Sequence, residues 1–150
     1  MMKIANSISI RVFSKEGEDD EKIAQTLKQL VPFDYEKEKI RFRTETATGF
    51  NESKIMIYAI FLEKERHTRK FLELLMGRLT KEQKELLSRQ EESRLDESLN
   101  FYIRLDKERL MHDEYWITDD GNCYHITISL AAFPRKKEAA LKIAEELLSL

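Results

Sequence analysis

The chain has 150 residues, of which 41% are hydrophobic and 36% charged, and its formal net charge is −2. This length predicts one domain with a substantial core, and the balanced charge means that any nucleic-acid contact must come from a local basic surface. The one cysteine excludes an internal disulfide and a cysteine-rich metal site. Because no segment resembles a signal peptide or a membrane span, we expect a soluble, cytoplasmic protein.

The N-terminal part of the sequence predicts a strand followed by a helix. In residues 4–13, apolar residues alternate with polar ones that include Arg11, which is typical of a half-buried strand. An acidic turn then favours the start of a helix, because carboxylates near a helix N-terminus interact favourably with its dipole. This helix is predicted to end before Pro32.

Two strands and two helices are predicted next. Residues 39–46 alternate, with Arg41 and Arg43 on the polar face, and the almost continuously apolar residues 54–63 predict a central strand covered on both sides. Apolar residues at helical spacing predict a helix over residues 68–79. A capping box at residues 80–83 predicts a second helix to about residue 95, of which the charged residues 84–92 form an exposed, frayed part.

The sequence NFYIRLDK (residues 100–107) predicts a strand with one buried and one polar face. Phe101, Ile103 and Leu105 alternate with polar residues that include Tyr102 and Arg104. Tyr102 offers a ring for stacking, and Arg104 offers a planar fork of donors for phosphate. The alternative is a cross-strand polar network that binds no ligand.

The C-terminal part predicts a helical turn, a hairpin and a final helix. Residues 108–114 form one turn or an irregular connection, and residues 115–118 pair with 122–133 around the turn at 119–122. Pro134 is predicted to open the last helix. This order of elements predicts an α+β fold, a single domain with a mostly antiparallel, twisted sheet packed against helices.

Guanidinium groups recur on the predicted polar faces of the strands. If the strands are neighbours, their polar faces form a positive platform like that of a sheet that binds single strands. Alternatively, the middle helices cover this face and pair some arginines with acids such as Glu65 or Glu73. The residues concerned are Arg11, Arg41, Arg43, Tyr102 and Arg104, together with Ser7, Ser9, His125, Thr127 and Ser129.

Three consecutive cations precede the last predicted apolar stripe. Arg135, Lys136 and Lys137 oppose the helix dipole at that position, which favours a phosphate-binding role. The alternative is a solvated basic turn that Glu138 partly offsets.

Carboxylates near residues 100–107 allow the hypothesis of a metal-dependent nuclease, with Asp96 and Asp106 as ligands. The spacing of Asp96, Asp106, Asp113 and Asp119 matches no metal loop, and His67, His112 and His125 show no ligand spacing. We therefore expect no metal, no nucleotide cofactor and no catalysis. Cys123 is expected to pack beside the hairpin.

Three sequence blocks resemble a small archaeal protein family that is described as RNA-binding and as a predicted exosome subunit. They are RLDE (94–97), NFYIRLDK (100–107) and AFPRKKE (132–138), and the opening SIRVF (9–13) is also similar. The family's fold resembles the ribosomal protein that binds 5S rRNA. The resemblance implies an α+β domain with helices packed on one sheet.

The leading hypothesis is a non-catalytic RNA-binding protein that is an accessory of RNA processing or degradation, with exosome or ribosomal components as partners. Tyr102 would stack a base, and the strand arginines, Lys107 and residues 135–137 would contact phosphates. The main alternative is a homodimer that pairs its sheet edges or exposed helices and buries Tyr115 and Trp116. The nuclease is a weaker alternative.

Overall fold

The computed structural model describes residues 2–150. Within that range, the strands form a five-stranded sheet in the order β2-β3-β1-β5-β4. The elements are β1 (Ala5–Lys15), α1 (Asp20–Leu30), β2 (Phe42–Thr48), a 3-10 turn (Phe50–Glu52), β3 (Lys54–Leu62), α2 (Glu65–Arg78), α3 (Lys81–Arg89), β4 (Asn100–Asp106), α4 (Lys107–Met111), β5 (Cys123–Leu130) and α5 (Lys137–Leu148). The predicted α+β class with an antiparallel sheet is confirmed.

The chain divides into two compact units. Unit 1 comprises the N-terminal residues up to Ile8, together with Leu62–Ile103 and Ile126–Leu150, and it contains α2, α3 and α5. Unit 2 comprises Ser9–Phe61 and Arg104–His125, and it contains α1 and α4.

Each unit buries apolar side chains of its strands and helices. In unit 1, Phe101 and Ile103 of β4 are fully buried, as are Phe71 of α2 and Leu147 of α5. In unit 2, fully buried residues include Ile10 and Val12 of β1, Ile23 and Leu27 of α1, and Leu105 of β4. The period-two and helical patterns that predicted these positions are confirmed.

Three helix boundaries differ from the prediction by three residues or more. α2 begins at Glu65, three residues before its predicted start. α3 begins as predicted after Thr80, whose hydroxyl accepts from the Gln83 backbone N–H at 3.2 Å, but it ends at Arg89. The next residues turn back, and Leu95 forms an antiparallel bridge with Phe101 of β4. This pairing is a tertiary contact that the helical pattern of residues 80–95 does not contain.

The last helix starts three residues later than predicted. α5 begins at Lys137, and Lys136 is its N-cap residue, so Pro134 and Arg135 precede the helix. The Phe133–Pro134 peptide bond is cis.

The predicted hairpin around residues 119–122 is wrong in its pairing. Ile117 forms an antiparallel bridge with Leu105 of β4. Two backbone hydrogen bonds flank it, from the Thr118 N–H to the Arg104 carbonyl at 2.9 Å and from the Asp106 N–H to the Trp116 carbonyl at 2.8 Å. A turn sequence predicts a reversal of the chain, but the partner of the arriving segment depends on tertiary packing.

The prediction that β3 is covered on both sides is also wrong. Residues 55–57 are half-buried and the ring of Phe61 is 39% exposed. β3 pairs with β2, with Phe42 opposite Ile60. Most residues of β2 are exposed, so this end of the sheet is open to solvent in both strands.

Candidate nucleic-acid interface

Contacts with α1 identify the covered face of the strands in unit 2. The Tyr124 hydroxyl of β5 donates to the Ile23 carbonyl at 2.9 Å, and the Ser14 hydroxyl of β1 donates to Asp20. On β2, the Phe42 ring lies 4.7 Å from the Lys28 ammonium. Since side chains alternate along a strand, the neighbouring residues lie on the opposite face. We call it the open sheet face, and it carries Arg11, Phe13, Arg43, Phe61, Arg104 and His125.

A pocket of about 200 Å³ lies on the open sheet face. Its lining includes Arg11 and Phe13 from β1, Cys123 and His125 from β5, and Arg104 from β4. The Arg104 guanidinium donates from Nη1 to the Asp119 carbonyl at 3.0 Å, which orients it. Two of the predicted arginines therefore meet at one concave site.

Charged groups of both signs act on this pocket. Arg104 and Arg11 act on His125, whereas Arg104, Asp120, Lys107 and Asp106 act on Cys123. Burial, followed by the positive charges of Arg104 and Arg11, lowers the pKa of His125 below its usual value. The lowered pKa favours the neutral imidazole at neutral pH. Burial raises the pKa of Cys123, which keeps the thiol protonated and unsuited to nucleophilic chemistry.

Two partly exposed aromatic rings accompany these cations. Phe13 is 45% exposed and Phe61 is 39% exposed, and the Arg43 guanidinium lies 4.9 Å from the Phe61 ring centroid. An open sheet with exposed aromatics can stack unpaired bases, and cations beside them can contact phosphates. Arg41 precedes β2 and is also exposed.

The aromatic residues of this face were not among the predicted site residues. Phe13 follows Arg11 at a spacing of two, so strand alternation alone places it on the polar face. Phe61 has no such signal, because the run around it is apolar at nearly every position.

Lys107 is a correction to the predicted set of RNA contacts. Its side chain is 2% exposed, and Nζ donates to the Phe13 carbonyl at 2.6 Å and to the Glu18 carboxylate at 3.2 Å. A buried ammonium requires such partners. Lys107 does not reach an RNA phosphate and instead links β1, the turn after it and α4.

Tyr102 lies in unit 1 and is half-buried. Its hydroxyl donates to Asp96, which also accepts from the backbone N–H groups of Ser98 and Asn100, both at 2.9 Å. Desolvation by burial opposes ionisation of Asp96, but these hydrogen bonds outweigh it and lower the pKa of the carboxyl group. Asp96 therefore organises a turn, and stacking by Tyr102 stays a prediction.

The three predicted cations before α5 have different surroundings in unit 1. Arg135 donates from Nη2 to the Ser98 carbonyl at 2.9 Å, and Lys137 lies 3.5 Å from the Glu92 carboxylate. Lys136 is the exposed N-cap residue of α5. Their phosphate contacts stay a prediction. Phe133, whose side chain is 94% exposed, precedes them and was not among the predicted site residues.

The acids proposed for the nuclease have structural roles. Asp106 accepts from the Arg109 backbone N–H at 2.9 Å and caps α4, while Asp96 holds its turn. Among residues 2–150, no three His, Cys, Asp or Glu side chains are grouped to hold a metal ion. His67 is buried in α2, and His112 Nδ1 lies 2.8 Å from the Glu108 carbonyl.

Trp116 was expected to bury in a partner in the homodimer hypothesis. Its ring is partly covered by Arg109, whose guanidinium lies 4.2 Å from the ring centroid. Homodimerisation stays a prediction. In the part of the chain that the structure describes, no helix has the length and apolarity needed to cross a membrane.

Comparisons with known proteins identify relatives of this chain. A family model described as RNA binding matches residues 7–130. RNA-binding protein PAB1135 of Pyrococcus abyssi is 34% identical over 142 residues, which cover 95% of this chain and 92% of that protein.

Solved structures of archaeal proteins share the fold. Protein AF2318 of Archaeoglobus fulgidus is 25% identical with a TM-score of 0.84, and the match covers 97% of this chain and 99% of that one. Mth689 of Methanothermobacter thermautotrophicus is 24% identical with a TM-score of 0.76, covering 97% and 98%. The family resemblance predicted from the sequence blocks is confirmed, and the chain belongs to this archaeal family of small RNA-binding proteins.

Proposed function

We propose that the open sheet face of unit 2 binds single-stranded RNA without cleaving it. Arg11, Arg43 and Arg104 contact phosphates, and Phe13 and Phe61 stack bases. The observation that carries the proposal is the partial exposure of two aromatic rings among guanidinium groups on one sheet face.

The exposure of Phe13 and Phe61 favours single strands over duplex RNA. In an A-form duplex the bases are stacked on one another, and their faces are not accessible to a protein side chain. In a single strand the bases can splay apart and stack on exposed rings, and each such contact contributes about 1–3 kcal/mol. The ring exposures of 45% and 39% leave enough apolar surface for such contacts.

The positive charge of this face is local, as the net charge of −2 requires. Arg11 and Arg104 line the same pocket, and besides burial their charges lower the pKa of His125, which also lines it; this supports a joint role for the two arginines. A phosphate in this pocket would meet two guanidinium forks, which match its oxygens bidentately.

The proposed cellular role is an accessory one in RNA processing or degradation, with the exosome as the partner complex. The support for it is the resemblance of residues 94–97, 100–107 and 132–138 to the family's sequence blocks. Co-elution of the purified protein with a reconstituted archaeal exosome in size-exclusion chromatography would support this role. Separate elution both with and without RNA would exclude a stable association.

Replacing Phe13 or Phe61 by Ala tests the stacking surface. We expect each substitution to weaken binding of a fluorescein-labelled single-stranded RNA by about 1–3 kcal/mol, because one base loses its stacking partner. Fluorescence anisotropy measures the affinity, and thermal unfolding followed by circular dichroism should change little. Phe50→Ala is the matched control, because Phe50 is 88% exposed and lies in the turn between β2 and β3. Affinities equal to that of Phe50→Ala would contradict the proposal.

The absence of catalysis is a separate prediction. We expect a labelled RNA to remain intact during prolonged incubation with the protein and Mg²⁺ or Mn²⁺, because Asp96 and Asp106 already accept backbone hydrogen bonds that hold a turn and a helix. Denaturing gel electrophoresis measures the intact fraction. Time-dependent cleavage that disappears in the Asp106→Asn variant would show that the protein is a nuclease.

A further inference from the structure

Unit 1 contains a second pocket, of about 470 Å³, that the open sheet face does not include. Phe133 and Pro134 form one side of it, and the Phe133 side chain is 94% exposed. Met2 also lines the pocket and is 52% exposed. The Met2 carbonyl accepts from Arg69 Nη1 at 2.8 Å, which links Met2 to α2. We call this site the Phe133 pocket.

Helix α5 supplies the rest of the Phe133 pocket. Ala139 and Ile143, four residues apart on one helix face, provide apolar surface, and Lys136, Glu138 and Lys142 provide charged side chains. Ile143 is buried, whereas Lys136 and Lys142 are exposed. The lining therefore combines apolar side chains with two ammonium groups and one carboxylate.

The lining of this pocket carries two lysines and one glutamate, and further cations are close in the sequence. Residues 131–143 contain four cations and one acid, which are Arg135, Lys136, Lys137, Lys142 and Glu138. Lys137 is paired with Glu92 and Arg135 is held by the Ser98 carbonyl, so Lys136 and Lys142 are the cations that face the pocket.

We propose that the Phe133 pocket binds one nucleotide of single-stranded RNA, with the base stacked on Phe133 and the adjacent phosphates near Lys136 and Lys142. The proposal rests on the RNA-binding function proposed above and adds a contact site that lies in the other unit. It also gives the cations of residues 135–137 an aromatic partner, which a helix N-terminus alone does not provide.

The chemistry of the pocket favours a nucleotide over a protein partner. A nucleotide has a flat apolar face and an anionic backbone, and these match a pocket that an exposed ring and two ammonium groups line together. The pocket volume lies in the range of sites for small ligands. A stable protein interface needs a much larger surface, typically about 800 Å² on each partner.

Three variants test the Phe133 pocket by fluorescence anisotropy with a labelled oligouridine. Phe133→Ala should weaken binding by about 5-fold to about 150-fold, the equivalent of one lost base stack. Phe133→Leu keeps an apolar side chain but lacks a planar ring, and it should weaken binding nearly as much. Lys136→Ala combined with Lys142→Ala should lower the slope of log affinity against log salt by about 1.4, since each single-strand phosphate contact accounts for about 0.7.

Matched controls separate these effects from general losses of aromatic surface or charge. Phe50→Ala removes an exposed ring of unit 2, and Lys22→Ala removes an exposed cation of α1. Both are expected to bind oligouridine as the wild-type protein does. Circular dichroism melting verifies that every variant is folded.

The outcomes distinguish this inference from the function proposed for the open sheet face. Weaker binding by the Phe133 variants, with unchanged binding by Phe13→Ala, supports RNA binding at the Phe133 pocket and contradicts RNA binding at the open sheet face. Unchanged binding by Phe133→Ala overturns the inference, whatever Phe13→Ala does. If Phe133→Leu binds normally while Phe133→Ala does not, a generic apolar contact such as protein docking replaces base stacking, and the inference is also overturned. A wild-type protein that binds no RNA overturns both proposals.

Discussion

The Lys107→Met variant is expected to lose about 3 kcal/mol of the free energy of unfolding, which is a large effect for one substitution. Methionine retains the length of the aliphatic stem but removes the ammonium group that donates to the Phe13 carbonyl and the Glu18 carboxylate. The carbonyl and the carboxylate then remain without this donor in a site where Lys107 is 2% exposed. Urea denaturation followed by circular dichroism measures the change.

Controls for Lys107 distinguish a structural ammonium from an RNA contact. Lys22→Met, at an exposed position of α1, should leave the stability within about 0.5 kcal/mol of wild type. Glu18→Gln should cost less than Lys107→Met, because the amide oxygen still accepts from the ammonium. The Lys107→Met protein should bind RNA as tightly as wild type at a temperature where it is folded. Normal stability together with weakened RNA binding would restore Lys107 as a phosphate contact.

A variant with Arg11, Arg43 and Arg104 all replaced by Ala should show a large loss of RNA affinity. If each exposed or half-buried guanidinium contributes about 1 kcal/mol, the variant binds single-stranded RNA about a hundredfold more weakly at moderate salt. Three lost phosphate contacts should also lower the slope of log affinity against log salt by about 2.1. Anisotropy titrations at several salt concentrations measure both quantities.

The same variant carries an internal check on the geometry of the site. Burial lowers the pKa of His125, and the charges of Arg104 and Arg11 lower it further. Their removal should therefore raise that pKa, which an NMR titration of the imidazole can follow. The matched control is replacement of Lys22, Lys37 and Lys81 by Ala, which removes three exposed cations outside the open sheet face. A raised pKa of His125 with unchanged RNA affinity would show that the arginines meet as described but do not bind RNA.

The alternation of apolar and polar residues predicted the strands. It also placed Lys107 on the buried face, although Lys107 was predicted to contact RNA. Phe101, Ile103 and Leu105 are fully buried, as their period-two spacing indicates. Lys107 continues the same buried face, but its charge favoured an exposed assignment, since lysine is rarely buried without a partner. The partners, Phe13 and Glu18, lie about 90 residues earlier in the chain, so no local pattern could reveal them.

Other features depended on contacts that a local pattern cannot specify. The helical pattern of residues 80–95 continues past Arg89, yet Leu95 bridges to Phe101. Phe61 lies in a run without alternation, so its exposure follows only from the position of β3 in the sheet. Phe133 is an apolar residue just before a predicted helix, and no pattern in the neighbouring residues predicts that its side chain is almost completely exposed.

The two bridges to β4 affect how this sheet could recruit further strands. β4 is an edge strand of the sheet, and an exposed edge strand is a template for β-strand addition and aggregation. Leu95 occupies the position opposite Phe101, and Ile117 occupies the position opposite Leu105, so short segments of the same chain protect β4 near both of its ends. β2 is the other edge strand, and most of its residues are exposed. A second copy that joined by strand addition would therefore be expected to pair with β2, where it would meet the alternating charges of Arg43 and Glu45.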